Sequence, residues 1–197
     1  MHIFQIGNYG MERERAIYLV KRGTPLSNLR DFINDKDVVL AAVTKDGLSL
    51  RYASKELRAD KDIVIAAVTE NGKSLGFASE ELKVDKDVVL AAVTNDGITL
   101  RFVSDELKAD RDVALAAVTN DGDALNFVSE ELKSDTEIVN AAIKQKPCAI
   151  KYAYGEIKDR SLFYKDSRFG EFCKDEPYGG KRTRRRRRKR TRRFYKK

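Results

Sequence analysis

The densest chemistry in this chain lies in its C-terminal segment, KRTRRRRRKRTRRFYKK. Its cations are Lys181, Arg182, Arg184, Arg185, Arg186, Arg187, Arg188, Lys189, Arg190, Arg192, Arg193, Lys196 and Lys197, and no acid stands among them. Guanidinium forks take phosphate oxygens two at a time, so the composition predicts a sequence-independent reader of DNA, RNA or another polyanion. A nuclear or nucleolar import signal has the same composition, and the residue types do not separate the two. Without aliphatic side chains the segment cannot bury enough surface to offset chain entropy, and it is expected to be disordered when free.

Carboxylates offer a second chemistry. Asp-X-Asp stands at Asp35, Asp60, Asp85 and Asp110, with a variant at Asp135-Thr136-Glu137. A calcium loop would need a third ligand at its fifth position, glycine at its sixth and a bidentate glutamate at its end. Here the second acid runs straight into aliphatic residues, so helix capping is the preferred reading: the first Asp accepts free N–H groups and the second places charge where the helix dipole favours it. Cys148 and Cys173 with His2 fall short of the four ligands of a structural zinc site and lack its close spacing, so the cysteines are expected as packing residues or free thiols. His2 is the only histidine, which leaves any Ser-His or Cys-His pair dependent on one residue at the chain's start. Gly180-Lys181 lacks the upstream glycine of a phosphate-binding loop. No catalytic group, metal site, cofactor or small-molecule substrate is expected.

Charge is unevenly shared. Removing the 13 tail cations from the 39 basic residues leaves 26 against 31 acids over residues 1–180, or −5, within a chain of +8. An acidic body with a strongly basic end points to a polyanionic partner for the end alone. Aliphatic runs such as Val38 to Val43 are short, where a membrane crossing needs about 20 apolar residues in a row. No secretory signal pattern opens the chain, and two cysteines suit a reducing compartment, so an intracellular protein is expected.

The elements that would present these groups follow from a repeat. The frame that begins at Asp35 returns at a constant interval, at Asp60, Asp85, Asp110 and Asp135, and that period indicates a stacked repeat architecture. In the unit DKDIVIAAVTENGKSLGFASEELKV, Asp60 to Val84, the residues Ile63, Val64, Ala67 and Val68 fall on one helical face. Asn71-Gly72 is expected to end that helix, with glycine supplying a left-handed C-cap. A second short helix is expected to follow, burying Leu75, Phe77, Ala78 and Leu82. One such hairpin cannot bury both its sides, so five of them are expected to stack into an all-α solenoid. The organisation expected is a degenerate capping repeat over residues 1–34, five helical hairpins of equal length over 35–159, an aromatic C-terminal cap and hinge over 160–180, and the tail over 181–197. In the last repeat Gln145-Lys146-Pro147 replaces the Asn-Asp-Gly turn, and proline still ends a helix there by other means. Seven aromatics between Tyr152 and Tyr178 are read as a cover for the last hairpin, with stacking on unpaired bases as the alternative.

The string DKDVVLAAVTNDGITLRFVSDELKAD, Asp85 to Asp110, is similar to the helical repeat catalogued as number 4116 among the domains of unknown function. That family is built from tandem units of a Val/Leu-Ala-Ala-Val helix, an Asn/Asp-Gly turn and an aromatic-Ala-Ser-Glu-Glu-Leu segment. The resemblance runs from Asp35 to about Asp159. It implies a source among giant DNA viruses or some protists, and it implies no activity. Glycines before an arginine run also resemble tails on many giant-virus proteins. With the basic tail, this places the protein in the nucleus, a viral factory or a virion.

Recurring residues are used up by caps, core and turns, so partner contacts are expected where the units differ. Leu48, Lys73, Ile98 and Asp123 occupy one such register, and Arg51, Gly76, Arg101 and Asn126 another; of these Leu48, Arg51, Lys73, Ile98, Arg101, Asp123 and Asn126 are the candidate protein-binding residues. The function expected is a non-enzymatic scaffold whose solenoid binds a protein partner while the tail holds nucleic acid. The alternative is a structural or host-interaction solenoid whose tail is only a localisation signal.

Overall fold

The structure, a computed structural model, describes residues 2–155, with side chains from Glu12 onward. The chain divides into two units, Met1–Ser161 and Leu162–Lys197, and the described residues belong to the first. The helices are α1 His2–Lys21, α2 Lys36–Lys45, α3 Lys55–Arg58, α4 Lys61–Glu70, α5 Glu80–Lys83, α6 Lys86–Asn95, α7 Asp105–Lys108, α8 Arg111–Asn120 and α9 Thr136–Gln145. Between them lie 3₁₀ helices, of which Gly47–Tyr52, Gly72–Phe77, Gly97–Phe102, Gly122–Phe127 and Pro147–Tyr152 recur once per unit. All regular structure among the described residues is helical.

Each long helix starts as its sequence dictates. Asp60 is extended (φ −83°, ψ 116°) and its carboxylate accepts from the amides of Asp62 and Ile63, while Asp62 lies in the first turn. Asp35, Asp85, Asp110 and Asp135 do the same for α2, α6, α8 and α9. Ile63, Val64, Ala67 and Val68 are fully buried. The small Ala66-Ala67 face lets neighbours approach: α1 packs on α2, α2 on α4, α4 on α6, α6 on α8 and α8 on α9. The 3₁₀ helices stack on one another in a second layer, giving a two-layered α-solenoid.

The second half of the unit departs from the expected helix. Gly72–Phe77 is six residues of 3₁₀ helix, Ala78 is extended (φ −65°, ψ 162°), and α5 is a separate four-residue turn. So short a segment cannot sustain a cooperative α-helix, and three residues per turn put Gly72, Leu75 and Ala78 in one buried row. The unit aromatic is therefore a flank and not a core residue: Tyr52, Phe77, Phe127 and Tyr152 are half-buried, and Phe102 is 41% exposed. In the fourth unit even the short α-turn is replaced by 3₁₀ helix, Leu132–Ser134.

The recurring glycines have a different cause from the one expected. Gly23, after α1, does adopt the left-handed region (φ 105°). Gly47, Gly72, Gly97 and Gly122 do not, and are held by space: a Cβ on Gly72 would lie 2.5 Å from the carbonyl oxygen of Ala92 in the following unit. The residue before each glycine ends the long helix in an extended conformation and caps the 3₁₀ helix, as Asn71 does by accepting from the amide of Lys73.

At the N-terminal end α1 closes the stack with Ala16 and Val20 buried, joined by Leu26 from the 3₁₀ helix after it, while Tyr18 is 58% exposed. In the fifth unit Pro147 is the first residue of its 3₁₀ helix, so it starts one element instead of only ending another. Cys148 does not stand as a free thiol. No described helix is long and apolar enough to cross a membrane.

Candidate functional site

Most of the polar residues that recur are consumed between neighbouring units. Lys61 donates to Asp85 at 2.8 Å and to Asp87 at 2.9 Å in the next unit. Lys36 reaches Asp60 and Asp62, Lys86 reaches Asp110 and Asp112, Arg111 reaches Asp135 and Glu137, and Arg13 of α1 reaches Asp35 and Asp37. Each acid pair thus caps its own helix and receives a cation from the unit before it. The hydrogen bond from the lysine holds Asp60, Asp85 and Asp110 below the ordinary carboxylate value of 3.8, and raises Lys36, Lys61 and Lys86 above 10.5. For Asp135 the amide of Ile138 is the larger cause of a lowered value. No group of three or more His, Cys, Asp or Glu suited to a metal ion occurs among the described residues.

A second ladder runs along the other ends of the long helices. The Asn95 side chain accepts from the amide of Gly72 at 2.8 Å and donates to the carbonyl of Thr69 at 2.7 Å. Asn120 repeats this with Gly97 and Thr94, and the Gln145 side chain accepts from Gly122 and donates to Asn120. Backbone bonds such as Ser79 N–H to the Arg58 carbonyl at 2.9 Å add a third seam. Sequence inspection read the acids as caps and the Asn-Gly pairs as turns, and missed that both also join units; the cation recurring between the two acids at Lys36, Lys61, Lys86 and Arg111 was the available signal.

What remains for a partner is the outer row of the 3₁₀ layer. Leu48, Lys73, Ile98 and Asp123 each occupy the second position of a 3₁₀ helix, fixed where the capping side chain accepts their amide at 2.9 to 3.1 Å. Arg51, Gly76, Arg101 and Asn126 each follow one turn later, which in this helix type places them on the same side. The structure therefore brings both variable registers onto one ridge. Arg51, Lys73 and Arg101 are exposed, and Leu48, Ile98, Asp123 and Asn126 half-buried. Lys73 lies 3.8 Å from the Asp96 carboxylate, and Asp123 pairs with Lys146. The Arg51 guanidinium lies over the Tyr52 ring at 4.5 Å from its centroid, Arg101 over Phe102 at 4.4 Å, and the Lys151 ammonium over Tyr152 at 4.7 Å. These adjacent cation–aromatic pairs at 51/52, 101/102 and 151/152 were legible as a recurrence in alternate units.

The tail residues Lys181 to Lys197, the hinge at Tyr178 to Gly180 and the aromatic cap over 160–180 lie outside the described residues. Neither the curated proteins nor the solved structures contain a match to this sequence. The family described as Domain of unknown function (DUF4116) matches residues 35–83, 60–108, 85–133 and 110–158, overlapping pairs of the units seen here, and the chain belongs to it.

Proposed function

We propose that the protein is a non-enzymatic repeat scaffold: the solenoid binds a protein partner through its variable ridge, and the arginine-rich tail binds nucleic acid without sequence preference. The observation that supports this reading is the division of the polar residues. Recurring ones pair between units, whereas Arg51 and Arg101 on the ridge have no acidic partner among the described residues. Stacked repeats that present variable side chains on a regular frame suit recognition of other proteins. Thirteen cations and no acid over residues 181–197 suit contact with phosphates.

Six to ten phosphate contacts imply a fall in affinity of about 10³ to 10⁵ between 50 and 200 mM salt. Comparing DNA and RNA binding by the full chain and by residues 1–179 across that range tests the tail. Equal binding by both, or binding that salt leaves unchanged, refutes it. The second reading is a structural or host-interaction solenoid carrying a nuclear address, favoured by the resemblance of the basic run to import signals. A reporter fused to residues 179–197 that accumulates in nuclei without being retained on nucleic acid supports that reading. The nucleus, a viral factory or a virion is the location proposed under either.

A further inference from the structure

Two like clusters stand on the ridge in alternate units, Leu48, Arg51 and Tyr52 in the first, and Ile98, Arg101 and Phe102 in the third. In each, the three-fold period of the 3₁₀ helix sets the aliphatic side chain beside the arginine, and the guanidinium carbon lies over the following ring, 4.5 and 4.4 Å from its centroid. A guanidinium held over a ring is restrained in position and keeps N–H groups available to a carboxylate. Neither arginine has an ion pair among the described residues, while Lys36, Lys61, Lys86 and Arg111 each bridge two acids. Between the clusters the second unit has Gly76, exposed, where an added Cβ would meet nothing within 4 Å. At that position the middle rung raises no side chain against a ligand that spans the two outer ones, and Lys73, one turn before it, adds an exposed cation 3.8 Å from the Asp96 carboxylate.

We propose that this ridge binds an extended acidic-apolar peptide segment, with one carboxylate on Arg51, one on Arg101, and an aliphatic side chain beside each on Leu48 and Ile98. The proposal rests on the reading that the solenoid binds a protein, and names the chemistry of its partner. Helices in adjacent units lie about 10 Å apart, so the clusters are separated by roughly 20 Å. An extended chain rises about 3.3 Å per residue, which places the two acid-apolar pairs about six residues apart. A nucleic acid fits less well, because residues 35–159 hold 24 acids against 17 bases and repel a polymer charged at every residue. A peptide with two acids brings little of that repulsion, and it supplies the apolar groups that Leu48 and Ile98 require.

The test uses the full chain as it stands and places the photocrosslinking group midway along the probe, so that the crosslinked residue, mapped by mass spectrometry, separates the ridge from the tail. The probe is a labelled peptide with two Leu-Glu pairs at that spacing, joined by Gly and Ser. Saturable crosslinking is expected, with apparent affinity lowered about tenfold or more by Arg51→Gln with Arg101→Gln, or by Glu→Gln in the peptide. Lys55→Gln, an exposed cation off the two clusters, should change it less than about twofold. Unchanged crosslinking in the double variant, equal crosslinking by the Gln peptide or by one whose pairs are adjacent, or preferred crosslinking of a single-stranded oligonucleotide overturns the proposal. Partner capture that persists in the double variant overturns this site and leaves the scaffold reading standing; absence of any solenoid partner overturns the scaffold reading itself.

Discussion

Gly72 and Gly76 lie in the same 3₁₀ helix, and the same methyl group should have opposite consequences at the two. At Gly72 an added Cβ lies 2.5 Å from the Ala92 carbonyl oxygen, 3.0 Å from the Asp96 Cβ and 3.1 Å from the Asp96 amide nitrogen. Two of these three are backbone atoms of the next unit, and cannot yield as a side-chain tip would. The fourth unit would have to be carried away with the third, which also lengthens the 2.8 Å bond from the Gly72 amide to Asn95. Overpacking of this kind costs about 1–3 kcal/mol, and weakening a part-buried hydrogen bond adds about 1 kcal/mol. Gly72→Ala should therefore lose about 2–4 kcal/mol. Gly76 has open space and no positive φ, so Gly76→Ala should gain about 0.4–1 kcal/mol by restricting the unfolded chain. Thermal unfolding followed by far-ultraviolet circular dichroism, at about 2–4 °C per kcal/mol for a chain of this size, should separate the variants by several degrees to well over ten. A Gly72→Ala variant as stable as the parent, or a Gly76→Ala variant as damaged as Gly72→Ala, would refute the steric account of the recurring glycines.

Asp85 and Lys61 form a pair with unequal shares. Asp85→Ala removes a cap as well as an ion pair and should cost about 1–2 kcal/mol, whereas Lys61→Met, losing only a solvent-exposed pair, should cost clearly less than that and less still in high salt; urea unfolding would read both. The lowered values of Asp60, Asp85 and Asp110 mean that their contribution is complete above 3.8 and is lost as pH falls through the folded values, and the raised values of Lys36, Lys61 and Lys86 mean that theirs is complete below 10.5 and is lost as pH rises beyond it. A plot of melting temperature against pH should be flat between and fall on both sides; constancy from pH 6 to 3 would contradict the ladder. Glu70 stands where Asn95, Asn120 and Gln145 bridge to a glycine amide, and makes no such bond to Gly47, so Glu70→Asn should add a rung and about 0.5–1.5 kcal/mol, measured by the same denaturation.

Period, caps and the aliphatic face of the long helix were legible because each depends on residues within a few positions of one another. Asp60 with Asp62, and Ile63, Val64, Ala67 and Val68, decide that helix locally. The segment from Gly72 to Leu82 was misread because it is too short to tell a period of 3 from 3.6, and Leu75, Phe77 and Ala78 satisfy a helical pattern loosely. Glycine after Asn71 fits two rules, a left-handed cap or a close approach, and only the position of Ala92 in the next unit chooses between them. The ion ladder escaped because its partners, such as Lys61 with Asp85 and Asp87, stand a whole unit apart in sequence, a separation that means contact only once the register of stacking is known. Arg51 and Arg101 were picked out as variable residues; the aromatic position of the unit, given by Phe77, was assigned to the core, so the pairing of Arg51 with Tyr52 and of Arg101 with Phe102 went unseen.

Because the seam between the second and third units and the seam between the third and fourth use the same groups at the same offset, these units are interchangeable parts. Excising residues 85–109 would bring Lys61 to Asp110 and Asp112, and the Gly72 amide to Asn120, with each junction complete. Pro147 cannot take part in such an exchange: it has no N–H to give a following amide side chain, and it carries a ring where the other units have the glycine that admits the next carbonyl. It works as a full stop, so the array can be lengthened or shortened only ahead of it. Distances along the outer ridge then change in whole rungs, and a loss of one unit between Arg51 and Arg101 would halve the length of partner that the two arginines measure.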